Sequence, residues 1–400
     1  MSTRYGTPED VRFCKTCVMS NSRPSSVVER ANTGGPKPTL AFDADGRCAA
    51  CVYQFDHIDV RIDWEAREHM LRDLLNQYRS KAGNIDCIVP GSGGKDSCYA
   101  AHVLATRYGM HPLTVTWAPM IWTDVGKRNY ERWARLYPHH LMERDERTHR
   151  TITRLAFERL AHPFSAFVVG QRHCAAKVAL DLGVPLACYG EPPAQNAGPV
   201  EECYDPCMRR EFYAADDDSP WGMTLGGVPA TELVDAHGVD GASLYAYAPI
   251  STHDADALGV DFRFLGHYLR WDPMDVFYYA SEHCGFECND RRTRGSYSKF
   301  SSLDDAMDEL HYFTSHVKFS VGRATYDAST DVRWGHRTRE EGVALVRKYD
   351  GEAPDAETLA RCLDYMGIDE PTFWRVIDDA RPEHLWERKG DTWKLKHQVA

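Results

Sequence analysis

Hydrophobic and polar positions along this chain change rhythm four times. Up to about Tyr53 apolar residues are sparse and Pro, Gly and Ser frequent, so the stretch cannot bury much of a core. A helical pattern follows: Asp63 stands in capping position ahead of Met70, Leu71, Leu74, Leu75 and Tyr78, which share one helix face. From Asn84 short apolar runs alternate with helical ones. The pattern predicts strands at 85–90, 113–118, 167–170 and 185–190, with helices near 96–108, 126–137, 148–160 and 172–182. Such alternation builds a parallel sheet covered on both faces, with ligands outside the carboxyl ends of its strands. The strand ends to inspect are Ser92 to Ser97, Thr116-Trp117, Gly170-Gln171-Arg172 and Gly190-Glu191. Residues 192–242 break the alternation with a loop-rich stretch holding Asp216, Asp217 and Asp218. From Arg337 the tail reads as amphipathic helices, exemplified by Val343, Leu345, Val346 and Tyr349, serving packing or a homo-oligomer contact.

Composition narrows the class. Four hundred residues with 43% hydrophobic and 26% charged content describe an ordinary globular chain of two or three units. A net charge of −12 argues against a general nucleic-acid binder, which carries a basic surface. The N-terminal stretch to Val11 is polar and no apolar run approaches membrane-spanning length, so the expected compartment is cytoplasmic, away from any membrane. Thirteen cysteines then favour metal ligands and buried thiols over disulfides.

The chemistry concentrates after the first strand, in Gly91-Ser92-Gly93-Gly94-Lys95-Asp96-Ser97. Adjacent glycines let backbone approach an anion closely, and the first turn of the next helix supplies free N–H groups with the positive dipole end behind them. Lys95 adds a point charge and the Ser92 and Ser97 hydroxyls further donors, so the run is a phosphate cradle. A Walker loop is excluded because Val89 and Asp96 stand where a glycine and a Ser or Thr are needed; the dinucleotide fingerprint fails because its third glycine falls on Asp96. The run resembles the PP-loop of ATP pyrophosphatases, which release the two terminal phosphates of ATP together. Asp96 is a candidate Mg²⁺ ligand or simply a helix cap. Cys14-x-x-Cys17 and Cys48-x-x-Cys51 have the pairing of a closed structural zinc site, a redox pair or chance cysteines being the alternatives. Cys203-x-x-x-Cys207 is a weaker candidate for a second metal.

Beyond single motifs, the chain from Cys14 to about Asp350 is similar to the N-acetyl sugar amidotransferase family, of the kind that builds acetamidino groups into pseudaminic and legionaminic acids and O-antigen sugars. The resemblance is carried by Cys14-Lys-Thr-Cys17-Val-Met, Cys48-Ala-Ala-Cys51, Ile62-Asp63-Trp64-Glu65 and the Gly91 to Ser97 run. It continues in Pro112 to Trp117, Asp124-Val-Gly126-Lys-Arg-Asn129 and Tyr189-Gly190-Glu191. Gly295-Ser-Tyr297 through Asp304-Asp305 and His316-Val-Lys318-Phe-Ser-Val-Gly322-Arg323-Ala-Thr325 complete it. After Glu191 the chain departs from that pattern, reading Pro-Pro-Ala-Gln-Asn-Ala-Gly.

What the resemblance implies is an α/β PP-loop ATP pyrophosphatase domain over 83–260, a zinc-ribbon-like knuckle over 1–60, a connector helix over 61–82 and a mainly helical region over 261–400. ATP would activate the acetamido oxygen of an N-acetylated sugar, and ammonia from a separate glutaminase subunit would displace AMP. The expected catalytic residues are Lys95, Asp96, Glu191, Lys318 and Arg323, the last two returning positive charge to the phosphates. Ser92, Gly93, Gly94, Lys95, Asp96, Ser97, Thr116, Gly170 and Gly190 would hold nucleotide, with ATP, Mg²⁺ and Zn²⁺ as the expected cofactors. Surface lysine and arginine, and a buried salt-bridge partner for Glu191, are the plainer readings. Asp304, Asp305, Asp308, His311 and Tyr312 are read on one helix that Ser302 caps. Arg291, Arg292 and Arg294 form a basic patch suited to an anionic sugar or to solvent. The alternative chemistry keeps the loop and transfers sulfur to a small-molecule or nucleobase carbonyl, through one of Cys98, Cys174, Cys188, Cys203 or Cys207.

Overall fold

Five short strands in one sheet set the architecture of this computed structural model, which describes residues 3–191 and 204–400. They are β1 (Cys87–Pro90), β2 (Pro112–Trp117), β3 (His139–Met142), β4 (Leu186–Tyr189) and β5 (Asp261–Phe264). All neighbours run parallel in the order β3-β2-β1-β4-β5, with Ile88 beside both Leu113 and Ala187. Parallel strands need crossovers, and the helices supplying them cover both faces of the sheet. Alternate residues of one strand therefore enter different cores. Ile88 packs with Leu113, Val115 and Trp117 under α4 (Glu146–Leu160) and α5 (Ser165–Leu182). Cys87 and Val89 pack with Leu71 and Leu75 of α1 (Trp64–Tyr78), Leu104 of α2 (Lys95–Thr106) and Val276 of α6 (Pro273–Cys284). Asp63 caps α1 by accepting the Ala66 N–H.

Strand order reverses between β1 and β4, so the loops after these two strands open a crevice at their carboxyl ends. The helical region beyond α3 (Asp124–Leu136) and the sheet closes it: α7 (Met307–Phe319), α8 (Arg323–Arg333), α9 (Arg339–Tyr349), α10 (Ala356–Met366) and α11 (Glu370–Asp379). Met307, Leu310 and Phe313 of α7 pack with Leu359 and Cys362 of α10, Phe373 and Ile377 of α11, and Phe157 of α4. The N-terminal segment reaches the same place. Its cysteines share a core with Phe319 and Val321 at the α7–α8 turn, and Ser22 Oγ donates to Phe319 O at 2.7 Å.

Three expectations are corrected. Residues 167–170 are helix, not strand: α5 runs unbroken from Ser165 to Leu182, and its apolar run is a helix buried on most sides. The third and fifth strands are His139–Met142 and Asp261–Phe264, neither of which the apolar pattern singled out. Ser302 does not cap the acidic helix. It adopts a left-handed φ of 55°, α7 begins only at Met307, and Asp304 and Asp305 precede it. Buried Asp305 instead accepts N–H groups of Ile121 at 3.1 Å and Met307 at 3.0 Å, tying the end of the β2 loop to α7. The Pro192 to Gly198 departure and Cys203 lie outside the described residues.

Candidate functional site

The cradle is fixed from behind before anything faces the crevice. Gly91 N donates to Val115 O at 2.9 Å, and Thr116 Oγ1 donates to Gly91 O at 2.7 Å. A Cβ on Gly91 would stand 2.2 Å from Ser97 Cβ; one on Gly93, at φ 82°, would stand 2.8 Å from Tyr130 Cα. Only glycine fits either place. Gly94 is the extended residue ahead of α2, whose first-turn N–H groups have no intrahelical acceptor. A recess of about 150 Å³ opens there, lined by Ser92, Gly93, Gly94, Lys95 and Asp96 on one side and Ser301, Asp304 and Arg323 on the other.

Beside it lies a cavity of about 830 Å³. Lys95, Asp96, Glu191, Lys318 and Arg323, from three separate stretches of sequence, all line it, and Lys95, Asp96 and Arg323 line the recess too. Asp96 is held at both oxygens, by Lys95 Nζ at 2.6 Å and Trp271 Nε1 at 3.1 Å. Burial and the adjacent Asp96 carboxylate push the Glu191 carboxyl up to about 7, against the pull of Lys95. Arg323 donates to Asp327 at 3.1 Å and to Tyr312 Oη at 2.7 Å, with its guanidinium 4.8 Å from the Tyr312 ring centre. Burial disfavours that charge, but Asp327, Tyr312 and Asp308 outweigh it and keep Arg323 firmly protonated. Burial also lifts Asp308 to about 6.

The other expected residues divide. Ser92, Gly93 and Gly94 form the recess, whereas Ser97 turns its hydroxyl back to Gly94 O at 3.0 Å. Thr116 is fully buried and supports Gly91 from below. Gly190 gives room to its neighbours: a Cβ there would stand 2.8 Å from Trp271 and 3.3 Å from Asp96 Cβ. Gly170 lines neither the recess nor the cavity. It lies inside α5 with the Trp117 indole where a Cβ would go, while its neighbours Gln171 and Arg172 line the cavity. Lys318 does not accompany Lys95: its Nζ donates to Leu160 O at 3.0 Å, and its charged neighbours are Lys37, Glu29 and Arg4. The basic patch is spent locally. Arg292 makes paired bonds to Glu352 at 2.6 and 2.8 Å, Arg291 meets Asp355 at 3.4 Å, and Arg294 donates to Ala353 O. Glu29, Lys37, His162 and Trp271 are site residues that sequence reasoning missed; none sits in a motif.

The four knuckle cysteines form a second chemical cluster. Their Sγ atoms all lie within 4.8 Å of one another and are fully buried, with Cys14–Cys51 at 3.8 Å and Cys17–Cys48 at 3.7 Å. Tetrahedral zinc with sulfur at about 2.3 Å sets sulfurs roughly 3.8 Å apart, so the cluster fits that ion. Backbone N–H groups of Thr16, Cys17, Met19 and Cys48 point to these sulfurs, the polar support thiolates need. Four cysteine ligands around one ion would leave no open position, the arrangement expected of a structural site.

Among the described residues, no helix is long and apolar enough to cross a membrane. No curated protein matches the chain at a significant level. Residues 294–399 match a family model described as the C-terminal domain of WbpG-like LPS biosynthesis proteins, a stretch that carries both Lys318 and Arg323.

Proposed function

We propose that the protein is an ATP-dependent, AMP-forming amidotransferase of polysaccharide biosynthesis, converting the acetamido group of an N-acetylated sugar to an acetamidino group. One observation carries the reading: Lys95 and Asp96 of the glycine turn and Arg323 of the C-terminal stretch line both the recess and the adjoining cavity, at the switch point of the sheet. The WbpG-like match over that C-terminal stretch supports a sugar-modifying role. The cradle's N–H groups and Lys95 would hold the β- and γ-phosphates. Arg323, lining both recess and cavity, would stabilise the charge that builds on pyrophosphate as the acetamido oxygen attacks the α-phosphorus. Asp96 would ligate Mg²⁺ after releasing Lys95 to the phosphates. The cavity's volume suits a sugar beside the nucleotide, and the chain would work in the cytoplasm with ammonia from a glutaminase partner.

The test is incubation with ATP, Mg²⁺ and a panel of acetamido sugars, with and without ammonium, followed by product mass. AMP, pyrophosphate and an ammonia-dependent amidine are expected; ADP with orthophosphate, or no nucleotide binding, refutes the reading. Sulfur transfer has one observation in its favour, exposed Cys288 on the cavity wall. Cys98, Cys174 and Cys188 are buried, and burial pushes the latter two thiols up to about 12, away from reactive thiolate. Cys207 is half-buried, so full turnover of a variant with Cys203, Cys207 and Cys288 all changed to Ser removes that alternative.

A further inference from the structure

One end of the 830 Å³ cavity carries titratable groups that adenylation does not use. Lys318 lines it from the last turn of α7, only 7% exposed, with its Nζ donating to Leu160 O. That Nζ lies 5.9 Å from the Tyr5 ring centre and 5.2 Å from that of Phe319. Facing it are Lys37, Glu29 and Arg4, with His162 and His311 beyond. Glu29 is already engaged: Asn32 Nδ2 donates to it at 2.7 Å, and Lys37 Nζ and His162 Nε2 each stand 3.6 Å away. His311 stacks on His162 at 5.1 Å, and its buried Nδ1 has no partner among the described residues. Burial and the second cation at Lys37, against the pull of Glu29, bring the Lys318 ammonium down to about 7. An amine so placed is available as a free base near neutrality.

We propose that this end of the cavity receives the nitrogen nucleophile, and that Lys318 is the general base that takes one proton from ammonium so that it attacks as ammonia. The inference rests on the amidotransferase reading. An N–H bond of ammonium breaks and an Nζ–H bond forms on Lys318. The freed lone pair bonds to the activated carbon, one proton of the new nitrogen moves to the sugar nitrogen, and AMP leaves with the C–O electron pair. The product is an amidinium ion, and Lys318 returns its proton to water as products depart. Burial holds the His162 and His311 imidazoles below their ordinary range, which disfavours a competing cation beside Lys318, with Glu29 pulling His162 the other way.

The test separates the two halves of the reaction in the full chain, using Lys318→Met and Lys318→Arg. Sugar-dependent ATP–pyrophosphate exchange without ammonia reads activation; amidine formation from ammonium chloride reads nucleophile delivery. Exchange persists in both variants, while amidine formation near pH 7 falls on the order of 10²-fold. The variants then regain rate by about tenfold per pH unit up to about pH 9, because only ammonia supplied by solvent can react. The parent lacks that slope, and Arg gives no rescue because it stays protonated. Variants with exchange intact and a parental pH profile overturn the inference, as does loss of exchange along with amidation. A parent without exchange refutes the amidotransferase reading itself.

Discussion

Replacing Gly170 by Ala sets two effects of known size against each other. In the interior of an 18-residue helix, alanine is favoured over glycine by about 1 kcal/mol. Opposing this, the new methyl would lie 2.1, 2.2 and 2.7 Å from three atoms of the Trp117 indole. Overpacking costs about 1–3 kcal/mol, and the upper end applies here because the indole has nowhere to go. It is 3% exposed, meets Tyr247 edge-on at 5.6 Å and has the Arg144 guanidinium at 5.8 Å. The balance is a net destabilisation of about 2 kcal/mol. For 400 residues unfolding as one unit, with about 2.1 cal/mol/K per residue, that lowers the melting temperature by about 2 °C. Calorimetry on Gly170→Ala, Trp117→Leu and the double variant measures it. In the Trp117→Leu background the alanine should become neutral or stabilising, giving a coupling of about 2 kcal/mol between the sites. Gly170→Ala melting at or above the parent refutes the packing argument. Weakened nucleotide binding at unchanged stability would instead restore Gly170 to the ligand.

Changing Cys48 to Ser should take bound zinc, measured by plasma emission after gel filtration, from about one per chain to none, and cost several kcal/mol of stability. Equal metal content in the variant would rule out the four-thiolate site. Arg323→Ala should slow pyrophosphate release about 10²–10³-fold in a coupled assay; an unaltered maximal rate would remove Arg323 from the leaving-group site. Glu191 has a folded-state pKa of about 7 against an ordinary 4.5, so the native state binds the extra proton. Its stabilising contribution is complete below about pH 4.5 and is lost as pH rises towards 7. Melting curves of the parent and Glu191→Gln should therefore diverge across that window, and parallel curves would show that the carboxyl titrates normally.

The first strand, glycine turn and helix were legible in the sequence because they are contiguous there, and the glycines mark tight backbone. The same logic found β2 and β4 but misread α5: Phe167, Val169 and their neighbours are apolar because the helix is surrounded, and a short apolar run has no period of its own. The third strand escaped notice because His139 and His140 are polar, tolerated where β3 forms the sheet's edge. At the site, Lys318 and Arg323 were visible in one run and line one cavity, yet they bond to different partners. Nothing local says that Leu160 O will meet Lys318, since that contact spans 158 positions. Glu29 and Lys37 sit in a segment without periodicity, and only the fold brings them to the crevice.

The cavity's walls have a bearing on how the protein is made. Arg23, Glu29 and Lys37 come from the opening of the chain, Lys95 and Glu191 from its middle, and Arg323 from well past its three-hundredth residue. On a ribosome, the sheet can collapse while the crevice still lacks its last side. A translation product that stops short of Arg323 therefore carries the strand, glycine turn and helix of the first wall, but not the last side of the cavity.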